Sequence, residues 1–65
     1  MTLGTEPPIM TVAEVAAFLR LKPKGIYLLV ESRRIPFAKV GNRLRFFRDD
    51  VVAWLRENTV SPTER

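Results

Sequence analysis

From Val12 to Leu19 the apolar positions of this chain recur at helical spacing. Val12, Val15, Ala16 and Leu19 make one face, with Phe18 beside it. Thr11-Val12-Ala13-Glu14 opens this helix as a capping box, in which the Thr hydroxyl and the Glu carboxylate each satisfy a free backbone N–H. The pattern lapses over Arg20-Leu21-Lys22. Pro23 then suits the first position of a second helix, where its missing N–H costs nothing. In that helix Ile26, Leu29, Val30 and the stem of Arg33 fall on one face, and Lys24, Tyr27, Leu28 and Glu31 on the other. From Ile35 to Phe46 the pattern changes to two short apolar runs around Gly41-Asn42, which is how a β-hairpin reads. A third helix opens at Arg48 or Asp49. Asp49 and Asp50 favour its positive end, and Val51, Trp54 and Leu55 are expected to face inward. Trp54 is expected at the centre of the core, and Phe37, Phe46 and Phe47 in core or wing packing.

The first two helices stand only a few residues apart, which is a helix-turn-helix spacing. The expected fold is therefore α+β: a small winged helix-turn-helix, in the order helix, helix, β-hairpin, helix. Residues 1–8, with Gly4, Pro7 and Pro8, read as a flexible N-terminal arm. Residues 9–57 read as the folded domain and residues 58–65 as a flexible C-terminal tail. At 65 residues the chain holds one small core, and its 46% hydrophobic content is too high for a disordered segment.

Composition narrows the chemistry. Cysteine and histidine are both absent, which removes a disulfide framework, a thiolate metal site and the commonest general base. Asp49 and Asp50 are adjacent, so on a helix they diverge and make no carboxylate dyad. Ser32 and Ser61 have no base near them in sequence. No enzyme, cofactor, metal or small-molecule substrate is expected. No apolar run is long enough to cross a bilayer and no signal peptide is legible, so a cytoplasmic protein is expected.

Lys+Arg 11 against Asp+Glu 7 leaves +4, which points to a polyanionic partner. The basic residues fall in two groups. Lys22 and Lys24 lie at the start of the second helix, where backbone N–H groups and the dipole already favour a phosphate. Arg33 and Arg34 lie at its end, where they equally complement its negative terminus. Lys39, Asn42, Arg43, Arg45 and Arg48 belong to the hairpin and its exit, a surface suited to a phosphate backbone. Tyr27 is placed to donate to a phosphate or pack on a sugar. Leu28 is a stray exposed leucine, or touches a thymine methyl or a protein.

These segments also resemble a known family. Leu19-Arg20-Leu21-Lys22, Ile26 to Val30, the hairpin Ile35 to Phe46 and Arg48 to Leu55 look like the excisionase-type helix-turn-helix domain, related to the DNA-binding end of MerR-type regulators. The resemblance implies a second helix in the major groove and a wing on the neighbouring backbone or minor groove. In the family a hydroxyl residue is usual where Lys22 stands, threonine where Gly25 stands, a basic residue where Leu28 stands, glycine where Arg33 stands and proline where Phe47 stands.

The resulting expectation is a sequence-specific double-stranded DNA-binding protein that bends its site and directs a site-specific recombinase. It would act with that recombinase or with further copies of itself on adjacent sites. The alternative on the same surface is a small transcription regulator of a phage or mobile element. An adaptor using Leu28, Val52 and Phe47 as an apolar patch is the reading from a different class.

Overall fold

A computed structural model describes residues 8–60. The elements are β1 (Ile9–Met10), α1 (Val12–Leu19), α2 (Pro23–Glu31), β2 (Ala38–Val40), β3 (Arg43–Phe47) and α3 (Arg48–Glu57). This is the small α+β winged helix-turn-helix that the pattern predicts. One element was not legible. The two-residue β1 is too short to show a period, yet it completes a three-stranded antiparallel sheet in the order β1-β3-β2. Ile9 opposes Phe47 and Met10 opposes Phe46, so the start of the domain is stitched to the start of α3. The Arg48 N–H donating to the Pro8 carbonyl at 2.8 Å extends that seam.

α1 begins as its capping box requires. Glu14 N–H donates to Thr11 Oγ1 at 3.2 Å, and Thr11 N–H donates to Glu14 Oε1 at 2.9 Å. It ends on Arg20, which has a left-handed backbone (φ 60°). α2 ends the same way on Arg33 (φ 57°), with Arg33 N–H on the Val30 carbonyl and Arg34 N–H on the Leu29 carbonyl. That pair of bonds closes a helix and usually recruits glycine, because a side chain at the left-handed position crowds its own carbonyl. Arg33 therefore lies beyond α2 and is exposed, not on the buried face assigned to its stem.

β2 and β3 pair with Val40 opposite Arg43 across Gly41-Asn42. Gly41 has φ +63° while Asn42 does not enter the left-handed region, the arrangement of a type II′ turn with glycine first.

The core gathers Met10, Val15, Ala16, Ile26, Ile35, Phe46 and Val51, with Phe46, Ile26, Val15 and Val51 fully enclosed. Its centre is thus Phe46 of β3, where the strand meets α1 and α3, not Trp54. Trp54 is only half-buried at the edge, because Val51 one turn earlier occupies the inward position. Leu55 and Phe47 are also corrected outward, at 45% and 49% exposed. Asn58 and Thr59, assigned to the tail, bond the last turn of α3: Asn58 Nδ2 donates to the Trp54 carbonyl and Thr59 Oγ1 to that of Leu55. Residues 1–7 and 61–65, most of the two expected flexible segments, lie outside the described residues.

Candidate nucleic-acid interface

α2 stands between two grooves of different chemistry. On one flank, Tyr27 shares a groove with Asn42, Arg43, Leu44 and Arg45 of the wing and with Thr11 to Ala13 at the start of α1. Core packing fixes this arrangement. Ile26, Leu29 and Val30 turn inward, which leaves Tyr27 52% exposed on the side facing the hairpin. Phe46 anchors β3 in the core, so the exposed tip of the hairpin, with Asn42 and Arg43, stands out from the domain.

Register sorts the wing residues. Arg43 and Arg45 are two apart on β3 and share a face, alternating with Leu44 and Phe46. Lys39 opposes Leu44 and lies on the other face. Arg43 is exposed at the tip. Arg45 is half-buried, and its Nη1 donates to the Leu44 carbonyl at 2.7 Å. That bond occupies one of the five guanidinium donors and leaves the rest of the fork for an anion.

Lys22 and Lys24 are exposed at the start of α2, where no side chain caps the helix. Pro23 brings no N–H and the Gly25 and Ile26 N–H groups donate to the Lys22 carbonyl at 2.8 and 3.3 Å, so it is the positive dipole end beside two ammonium groups that favours phosphate here. Arg33 and Arg34 follow the helix end and are exposed. Arg34 lines the second groove, on the other flank of α2, together with Leu21, Gly25, Leu28, Leu29 and Ser32. Phe47 and Val52 are not part of that groove, so the three residues of the adaptor reading do not meet there.

Arg48 is placed differently from the hairpin group to which it was assigned. It is the first residue of α3, half-buried, with its guanidinium 5.7 Å from the centre of the Phe18 ring and 3.9 Å from the Asp49 carboxylate. It ties α3 to α1. Two residues escaped the sequence reading, exposed Arg20 and half-buried Thr11. Arg20 lies in the turn between α1 and α2, and a basic residue between two helices at this spacing was the available signal. Thr11 was read only as a cap, yet it borders the Tyr27 groove.

Among the described residues no group of His, Cys, Asp or Glu is arranged to hold a metal ion, and no helix is long and apolar enough to cross a membrane. The chain belongs to a helix-turn-helix domain family, whose model matches residues 9–59. That family includes the excisionase-type domains which the hairpin and helix motifs resemble. It is a DNA-binding family, typically without enzymatic activity, and double-stranded DNA is the ligand it supports. Neither a curated protein nor a solved structure matches the chain.

Proposed function

We propose that this chain is a sequence-specific double-stranded DNA-binding protein of the excisionase type, acting architecturally with a site-specific recombinase in the cytoplasm. The observation that carries the reading is the shared groove of Tyr27 with Asn42, Arg43 and Arg45. It gives the second helix and the wing a common face toward one duplex. α2 presents Lys22, Lys24, Tyr27 and Leu28 to the major groove, with Arg33 and Arg34 at its end. The wing holds the adjacent backbone through Arg43 and Arg45, with Asn42 at the tip and Lys39 on the other face of the hairpin. Two grips on one duplex, one in the groove and one on the backbone, suit a protein whose work is to hold DNA bent. Arg48 supports α3 from its place on Phe18 and has the smallest part in contact.

The test is capture of genomic fragments of the source organism by the full chain, followed by gel analysis of bending. The excisionase reading expects fragments from an attachment region beside a recombinase gene, with several copies bound in a row and the duplex bent. It also expects excisive recombination by that recombinase to depend on the protein. Capture of promoter fragments alone, with no bend and no effect on recombination, would make the chain a transcription regulator using the same surface.

A further inference from the structure

The groove on the far flank of α2 is apolar, and nothing in the fold requires it. Leu21 and Leu28 are 46% and 56% exposed along it, with Leu29, Gly25 and Ser32 between them. Gly25 lies inside a regular helix without a positive φ. A Cβ built there meets only the Leu21 Cβ, at an ordinary 4.0 Å. Alanine would fit and would favour the helix, so packing does not explain the glycine. Its effect is to keep the groove open beside Leu28. The one ionisable residue lining the groove is Arg34.

We propose that this groove receives the C5-methyl group of a thymine, with Leu28 as the reading side chain and Arg34 on the phosphate beside it. This rests on the DNA-binding reading above and adds which base α2 selects. In the major groove the thymine methyl is the apolar feature among the donors and acceptors of the base edges. An apolar recess rimmed by a cation matches a methyl close to its own phosphate. A second copy of this chain is a poorer occupant. Each copy carries +4, and a two-fold contact over this groove sets Arg34 near its twin. A protein seated here would also compete with DNA for the exposed side of α2.

The test uses the full chain and a duplex selected by it from a random pool. Each thymine is replaced in turn by uracil, which removes the C5-methyl group and leaves every hydrogen bond intact. Binding is followed by fluorescence anisotropy. At one or two positions uracil should weaken binding about fourfold, the value of one methyl group taken out of water. Leu28→Ala should bind the thymine duplex about as weakly as the wild type binds the uracil one, and should no longer distinguish the two. Leu28 is exposed, so this variant keeps the fold. Gly25→Leu, which fills the recess, should also lose the distinction.

Tight binding with no uracil-sensitive position overturns the proposal and leaves the DNA-binding reading standing. Sensitivity that survives Leu28→Ala assigns the methyl to another residue and overturns it as well. Self-association that Leu28→Ala abolishes, with the response to uracil unchanged, makes the groove a contact between copies. Failure to select any duplex removes both readings together.

Discussion

The two flanks of α2 rest on the same core but differ in their chemistry. Toward the wing, Tyr27, Asn42, Arg43 and Arg45 set hydrogen-bond donors around a groove. On the far side, Leu21, Gly25, Leu28 and Leu29 leave an apolar recess with a single arginine at its rim. Donors aimed at phosphates position a duplex, whatever its sequence. Apolar surface in a major groove distinguishes one base from another. Under the DNA-binding reading proposed above, the wing arginines on the first flank supply affinity, while the exposed side chains of α2, Tyr27 toward the wing and Leu28 on the far side, supply selectivity.

The largest expected effect removes the frame beneath both flanks. Phe46 is fully buried where β3 meets α1 and α3. Phe46→Ala should cost about 3–5 kcal/mol, comparable with the whole stability of a domain this size. Urea denaturation should find it largely unfolded. Trp54→Ala should cost roughly 2 kcal/mol, since only part of the ring leaves water, and should still unfold cooperatively. Equal losses in the two variants would place Trp54 at the centre after all.

Next is the contrast between positioning and reading. Arg43→Ala combined with Arg45→Ala should weaken binding to specific and random duplexes alike. It should also flatten the slope of log K against log[salt] by about 2. Lys24→Ala or Tyr27→Phe should reduce discrimination between the two duplexes by about 1–2 kcal/mol. Salt titrations of each variant on both DNAs give the answer. A wing variant that loses only specific binding, with its slope unchanged, would give the wing a reading role and erase the division of labour.

Much of this was legible in the sequence because the signals were local. The capping box at Thr11 and Glu14, Pro23 at the start of α2 and the Gly41-Asn42 turn each fix a few backbone angles through their own side chains. What depends on distant packing was not legible. β1 has two residues and exists only because β3 lies beside it. Trp54 and Leu55 fit an inward stripe by spacing, but Val51 alone reaches the centre, since three helices converge on too small a volume to enclose a large ring as well. For the candidate interface, the exposed residues of α2 followed from periodicity. The division of Tyr27 and Leu28 between two grooves did not, because it depends on where the hairpin comes to rest. Arg48 looked like a wing cation by its place in the chain, and only its approach to Phe18 shows it tied to the body of the domain.

The smallest effect bears on how the second flank is delimited. Arg33 closes α2 in a left-handed conformation that glycine adopts without strain. Arg33→Gly should therefore stabilise the domain by about 1 kcal/mol, raising Tm by roughly 4–8 °C at this size. Arg33→Ala removes the same guanidinium but keeps a Cβ at the strained position, so its Tm should not rise. The pair separates backbone from side chain. If the Arg33 side chain touches a phosphate at the end of α2, both variants should lose DNA affinity equally, and each should lower the salt slope by about 1. The strain is then retained for a contact, and the interface extends past the helix end to Arg34 and the rim of the apolar groove. If both variants bind DNA like the wild type, the Arg33 side chain stays clear of the DNA backbone, and Arg34 alone is the cation of that flank.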